Sequence, residues 1–332
     1  MLKLFHIIGG TMSKKSLVGL VASIVSFVAL MIVATFYDLQ ISVAIGNADS
    51  VYGQFFNFLG ETPLWFGIPL SFLILFRAVD KSNKFYKWLK SVLLICVFVG
   101  FFFFARYLMD EMTAELKWKY LYVTLFGLAM TGVALLCVKN IDDEVFKKLV
   151  IFAILTLAII VVSQALVTAM KHIWSRQRFR NLQVGNVYLG TSEGFTPWYK
   201  PTFGRHNPDV LYPDALGGKS DKGAYRSFPS GHTAAAAVTF AITILPDLFE
   251  KLKKYKAVFY VVPVVYTALV AVSRIVNRAH YLSDVTVGGF LTAGIAFLFK
   301  YLIQKIWIKR KFYGYENFVE PVDNTDLTEK AA

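Results

Sequence analysis

The chain has 332 residues, of which 56% are hydrophobic, 16% are aromatic and only 17% are charged. Together with a mean hydropathy of +0.52, this composition excludes an ordinary soluble domain and predicts an integral membrane protein. The formal net charge of +13 does not indicate a nucleic-acid partner, because no basic patch on a soluble domain accompanies it.

Apolar stretches predict eight membrane spans, since a spanning helix needs about 20 mostly apolar residues. Three of the stretches are long and free of charge, and five are shorter or contain proline. In chain order they cover residues 17–37, 62–76, 91–105, 120–138, 149–170, 233–246, 257–273 and 285–299. The sequence therefore predicts an all-α fold, a polytopic bundle of membrane helices.

The charges between the spans predict how the chain is oriented. Lys and Arg are frequent in the alternate connections 77–90, 139–148 and 248–256 and after the last span, whereas residues 38–61 contain neither. By the positive-inside rule, both termini are expected in the cytoplasm. We predict one membrane domain over residues 1–312, followed by a polar, disordered tail over 313–332.

A long polar loop over residues 171–231 is expected on the outer face, and it opens with the stretch KHIWSRQRFR. If the fifth membrane helix continues into this stretch, Lys171 and Arg178 lie two turns apart on one helical face. An arginine fork and a lysine ammonium could then hold one anion between them. The alternative is a basic collar that fixes the helix end near the lipid headgroups.

The loop closes with the stretch SFPSGH, which leads into small apolar residues. Ser230 is expected to cap the helix that begins near Gly231, and the glycine would let a ligand approach the backbone. Free N–H groups at a helix N-terminus bind anions, and His232 would stand in the first turn. The alternative is an ordinary turn with an interfacial histidine.

A third stretch, SRIVNRAHYLSD, is predicted on the same face of the membrane. His280 and Asp284 are four residues apart, so on a helix the carboxylate could accept from one ring nitrogen and orient the other. Arg274, six residues before His280, could reach the same anion. The alternative is an ion pair between residues i and i+4 at the membrane surface.

Taken together, the three stretches resemble the three-part signature of the type 2 phosphatidic acid phosphatase superfamily. The matching residues are Lys171 and Arg178, then Pro229, Ser230, Gly231 and His232, then Ser273, Arg274, His280 and Asp284. One departure is Phe179, where the family usually has proline. Because the family core has six helices, eight spans imply two additional N-terminal helices.

The resemblance implies a role for each matched residue. His280 would attack phosphorus to form a phosphohistidine, Asp284 would orient it, and His232 would protonate the leaving oxygen and then activate water. The phosphate oxygens would be held by Lys171, Arg178, Ser230, Gly231 and Arg274. No metal ion or other cofactor is expected, because no cluster of acidic residues accompanies the motifs.

The expected substrate is a lipid phosphate, of the phosphatidic acid, phosphatidylglycerol phosphate or polyprenyl diphosphate class. The expected location is the cell membrane, with the site on its extracytoplasmic face. A phosphotransferase of the same family is an alternative reading. A polytopic transporter fits less well, because transporters carry ionisable residues deep within their helices and here they cluster at the helix ends.

Overall fold

The computed structural model describes residues 14–79, 83–112, 118–184, 187–188, 195–204 and 223–305. The predicted polar tail lies outside these ranges. Within them the chain is helical, apart from loops and a short antiparallel pair formed by β1 (Gln183–Val184) and β2 (Val187–Tyr188). The predicted all-α class is confirmed.

The helices correspond to the apolar stretches of the sequence. They are α1 (Lys14–Ile45), α2 (Val51–Gly60), α3 (Thr62–Ala78), α4 (Lys84–Met112), α5 (Lys119–Val138), α6 (Asp143–Trp174), α7 (Gly231–Leu248), α8 (Lys256–Val276) and α9 (Leu282–Ile303). In the middle of α7, Ala237–Ile244 is wound as a 3-10 helix. Among the described residues, eight stretches are long and apolar enough to cross a membrane, with α2 and α3 together forming one of them. The prediction of eight spans is thereby confirmed by length and composition.

Apolar side chains cover the outer surfaces of these helices. In α1, Val18 and Phe36 are each 67% exposed, and only 11% of its most apolar window is buried. A helix that is hydrophobic on all sides belongs in a membrane or in a large core. Lipid is therefore the environment that this surface requires.

The chain divides into two compact units. The first comprises Met1–Leu59, Ala165–Ala234 and Thr267–Phe290, and the second comprises Gly60–Gln164, Ala235–Tyr266 and Leu291–Ala332. All three sequence motifs belong to the first unit. The candidate site can therefore be described within that unit alone.

The second unit contains a large apolar core and a buried ionic cluster. The core gathers side chains such as Phe146, Leu155 and Ile244, which are at most 2% exposed. Lys300 is 5% exposed, and its ammonium group lies 2.8 Å from an Asp247 carboxylate oxygen and also donates to the Tyr260 hydroxyl and the Thr243 carbonyl. This cluster satisfies a charge that would otherwise be costly to bury.

Candidate active site

The first motif is divided by the end of α6. The helix ends at Trp174, because Ser175 adopts a left-handed conformation with φ of 39°. The N–H groups of Thr202 and Phe203 then bond to the carbonyls of Trp174 and Ile173. The expectation that Lys171 and Arg178 share one helical face is therefore wrong.

Arg178 instead lies in the non-helical segment between α6 and a short 3-10 helix at Phe179–Leu182. Its backbone N–H donates to the Ala224 carbonyl at 2.8 Å, so this segment runs beside the approach to the second motif. Phe179, at the position of the family's proline, is 1% exposed and its ring lies 6.2 Å from that of Tyr281. An aromatic contact thus holds the chain directly after Arg178.

The second motif has the predicted cap. Ser230 Oγ accepts a hydrogen bond from the Thr233 N–H at 3.3 Å, and Gly231 is the first residue of α7. The bond that precedes the motif serine, between Phe228 and Pro229, is a cis peptide. The capping prediction is confirmed, and it leaves the Ser230 hydroxyl hydrogen as the group that could reach a phosphate oxygen.

The second motif also lies close to parts of the other two. A Cβ atom at Gly231 would be 3.8 Å from Cε of Lys171. The Ser230 N–H donates to the Asp284 carbonyl at 2.9 Å. At Gly288, a Cβ would meet the Ser230 carbonyl oxygen at 2.5 Å, so the absence of a side chain there permits the approach.

In the third motif, His280 does not lie on the helix that carries Asp284. It precedes α9, which begins at Leu282, and is 1% exposed. Its Nδ1 lies 2.7 Å from the Ser227 carbonyl oxygen and 3.5 Å from Asp284 Oδ2. The expected helical pair is therefore replaced by a bond to a backbone carbonyl, with the carboxylate as the next neighbour.

This contact determines which ring nitrogen of His280 is available. A carbonyl oxygen only accepts hydrogen bonds, so Nδ1 carries the hydrogen. Burial lowers the pKa of His280 well below its ordinary value, and the charges of Arg178 and Lys171 lower it further, against the opposing effect of Asp284. The neutral ring therefore presents the lone pair of Nε2.

Cationic and imidazole groups converge around this ring. Lys171, Arg178 and Arg274 lie within electrostatic range of His232, as does His280. Arg274 is 3% exposed, whereas Lys171, Arg178 and His232 are half-buried. The arrangement provides a site that is closed around His280 and Arg274 and more open around Lys171, Arg178 and His232.

Several side chains at the site were not singled out from the sequence. Arg176 connects the carboxylates of Asp38 and Asp284, and Ser227 donates from its hydroxyl to Asp284. Asn57 of α2 accepts from the Arg274 guanidinium. Arg176 stands within the first motif stretch, and Asp38 is an acid at the end of an apolar span, which is a signal of function in a membrane helix.

The described part of the chain offers no acidic or thiolate cradle. Over those residues, no group of three or more His, Cys, Asp or Glu side chains could hold a metal ion. The groups that converge are instead the imidazoles of His232 and His280 and the cations Lys171, Arg178 and Arg274, and these cations suit an anion with several oxygens.

Comparison with known protein families gives a match over part of the chain. Residues 184–308 match the model of the PAP2 superfamily. The resemblance seen in the motifs is thereby confirmed, and the match supports a phosphatase-family function in a multi-pass membrane protein. Comparisons with curated proteins and with solved structures found no match.

The PAP2 match contains only two of the three motifs. Lys171 and Arg178 precede it, as do Asp38, Asn57 and Arg176. Those residues nevertheless contact or lie within electrostatic range of residues inside the matched region. The site thus draws on parts of the chain that the family match does not include.

Proposed function

We propose that this protein is a metal-independent membrane phosphatase that hydrolyses a lipid phosphate through a phosphohistidine at His280. The observation that carries the proposal is the hydrogen bond from His280 Nδ1 to the Ser227 carbonyl. It fixes the ring and leaves Nε2 unprotonated beside cationic side chains. A nucleophile needs this combination of orientation and a free lone pair.

In the proposed first step, His280 Nε2 attacks phosphorus and the bond from phosphorus to the leaving oxygen breaks. His232 gives its proton to that oxygen. The lipid product is then an alcohol if the substrate is a monophosphate, and a lipid monophosphate if the substrate is a diphosphate. In the second step, neutral His232 takes a proton from water as the water oxygen attacks phosphorus. The phosphorus–nitrogen bond then breaks, and phosphate and the free His280 are released.

The phosphate oxygens require positive charge and hydrogen-bond donors while these bonds change. We assign this role to Lys171, Arg178 and Arg274, with the Gly231 N–H and the Ser230 hydroxyl. Phosphoryl transfer is accelerated mainly by such positioning and charge stabilisation. The three cations would offset the two negative charges of a phosphate monoester.

A lipid is the substrate class that suits the position of these groups. His232 is at the start of α7, Arg274 is in the last turn of α8 and Asp284 is in the first turn of α9, and these helices are apolar enough to span a membrane. A headgroup phosphate could therefore reach the site while its chains stay in the bilayer. We place the site on the extracytoplasmic face of the cell membrane, with both termini in the cytoplasm, because of the distribution of Lys and Arg.

The test is phosphate release by the purified protein in detergent with EDTA, from phosphatidic acid, phosphatidylglycerol phosphate and undecaprenyl diphosphate. His280→Ala is expected to lower the rate by about 10³-fold or more, because it removes the nucleophile. His172→Ala, at the exposed histidine of α6, is the matched control and should stay within about threefold of the wild type.

Retention of wild-type activity in His280→Ala would contradict the assignment of the nucleophile. Loss of activity in EDTA, restored by Mg²⁺, would contradict the metal-independent mechanism. If the lipid loses its phosphate but inorganic phosphate does not appear, the phosphoryl group has passed to another acceptor. That result would indicate a phosphotransferase.

A further inference from the structure

We propose that Asp38 of α1 is a positioning residue of the active site, which sets Asp284 and through it His280. The inference rests on the proposed function of His280 as the nucleophile. It assigns a role in catalysis to an N-terminal helix that lies outside the PAP2 match. The contacts that carry it all belong to the first compact unit.

Asp38 is buried in a membrane helix and uses both carboxylate oxygens. The side chain is 3% exposed. Oδ1 accepts from the Ser283 N–H at 2.9 Å, and Oδ2 accepts from Arg176 Nη2 at 2.9 Å and from the Ser283 hydroxyl. Asp38 therefore fixes the backbone at the start of α9, one residue before Asp284.

Arg176 gives Asp38 a second connection to Asp284. The arginine is fully buried, and its guanidinium fork is divided, with Nη2 on Asp38 and Nη1 2.7 Å from Asp284 Oδ1. Its Nε donates to the Thr196 carbonyl, and the fork lies 4.1 Å from the ring centroid of Tyr281. Because Asp38 and Asp284 each occupy one terminal nitrogen of Arg176, neither carboxylate can bind both of these nitrogens.

From Asp284 the connection continues to His280. Asp284 Oδ2 accepts from the Ser227 hydroxyl and from the Tyr281 N–H at 2.9 Å. The carbonyl of the same Ser227 accepts from His280 Nδ1. A displacement of Asp284 would therefore change the position of the group that orients the nucleophile.

Asp38→Asn keeps the size of the side chain but removes its charge and replaces one acceptor with a donor. Arg176 would then be free to place both nitrogens on Asp284, which would draw that carboxylate from Ser227 and His280. We expect kcat to fall by about 10- to 100-fold, because small displacements of reacting groups lower rates by such factors. KM should change little, since Lys171 and Arg274 keep their charges.

The same substitution should also change the titration of His280. The groups that face this imidazole are Asp284, Lys171, Arg178 and His232. Removing the negative charge of Asp38, and moving Asp284 away, disfavours the protonated ring. The acidic limb of the kcat/KM profile, which reports the free enzyme, and the titration of His280 should both move to lower pH.

The experiment compares wild type, Asp38→Asn and Asp38→Glu with Asp247→Asn, which removes an acid from the ionic cluster of the second unit. Three measurements are made: the pH dependence of kcat and KM, the titration of His280 by NMR of protein with 15N-labelled histidine, and the Tm. Loss of the His280 signal in His280→Ala assigns it. Asp247→Asn should lower the Tm without moving kcat or the titration, and Asp38→Glu should keep the titration near the wild type.

Two results for Asp38→Asn would overturn the proposal. One is a kcat for Asp38→Asn within about twofold of the wild type. The other is a lower Tm with an unchanged titration of His280, which would indicate a purely structural role. If Asp38→Asn does not fold, Asp38→Glu provides the test, because it keeps the charge and displaces the carboxylate by one methylene group. An unchanged kcat in Asp38→Glu would then contradict the positioning role. If wild type releases no phosphate but the titration still shifts in Asp38→Asn, the proposed function fails and the positioning role stands.

Discussion

His280 has the surroundings that a nucleophilic imidazole requires at neutral pH. Its ring is buried, its Nδ1 hydrogen is held by the Ser227 carbonyl, and its pKa is lowered by burial and by nearby cations. Asp284 partly opposes that lowering. Orientation and protonation state thus result from the same few contacts.

The lowered pKa of His280 leads to a prediction about acid tolerance. A group with a lowered pKa stays neutral until the pH falls below its ordinary value of about 6.5. We therefore expect kcat/KM, which reports the free enzyme, to hold as the pH is lowered to 6.5 and to decline only below that value. The measurement is kcat/KM against pH for two substrates whose phosphate groups have different pKa values. If activity with both substrates already declines above pH 6.5 as the pH is lowered, the prediction is wrong. If the midpoint of the decline changes with the pKa of the substrate's phosphate, the decline is due to protonation of the substrate.

At the scale of residues, the sequence predicts the motif side chains but not the contacts that orient them. Spacing alone paired His280 with Asp284, since neither the Ser227 carbonyl nor the start of α9 at Leu282 is visible in a one-dimensional pattern. Asp38 and Arg176 are 138 residues apart. Their pairing depends on tertiary structure, and a single sequence does not show which distant residues are in contact.

Helices are the elements that the sequence predicts best here, because apolar stretches of span length are a strong signal. The end of α6 is the exception. Nothing in the stretch KHIWSRQRFR indicates that the helix ends before Ser175. The carbonyls at the end of the helix accept hydrogen bonds from the N–H groups of Thr202 and Phe203, which lie far along the chain. Long-range capping therefore decides where Arg178 lies.

The close approach of α9 to the second motif gives a prediction for this element. In Gly288→Ala, the new Cβ would meet the backbone oxygen of Ser230 at 2.5 Å, which cannot be relieved by a side-chain rotation. The motif or the helix must shift, so kcat should fall by about tenfold or more and the Tm should fall with it. Phosphate release and a thermal melt measure both effects.

Gly294→Ala, on the same helix, is the matched control. Among the described residues, apart from its chain neighbours and the nearby backbone of the helix itself, no atom lies within 4 Å of the Cβ that it would add. Alanine is a better helix former than glycine by about 1 kcal/mol, so the Tm should stay or rise and kcat should be unchanged. Equal losses in the two variants would show that the contact with Ser230 is not the cause.

At the scale of the whole molecule, the N-terminal helices take part in the site as well as in the bundle. Tyr52 of α2 donates to the Leu269 carbonyl at 2.6 Å, and Asn57 accepts from Arg274. The family core does not account for such contacts, and the extra spans had no readable purpose in the sequence. Their contacts support the role that we propose for them, because α1 and α2 contact side chains that we assign to the orientation of the nucleophile and to phosphate binding.

The ionic cluster of the second unit contains no residue that we assign to catalysis, and this separation can be tested. Lys300→Met should lower the Tm by about 5 °C or more, because it removes the cation that lies 2.8 Å from Asp247. The side chain of Lys300 is only 7% exposed, so solvent screens this pair weakly. Activity per folded molecule should stay within about twofold. Thermal melts and phosphate release measure the two quantities on the same preparation.

Lys256→Met provides the control on the same carboxylate. Lys256 lies 3.8 Å from Asp247 and its side chain is 56% exposed, so its contribution to stability should be small. A Tm change as large as that of Lys300→Met would mean that burial does not set the strength of these pairs. A loss of activity in Lys300→Met that exceeds its loss of folded protein would mean that the ionic cluster acts on the catalytic step itself.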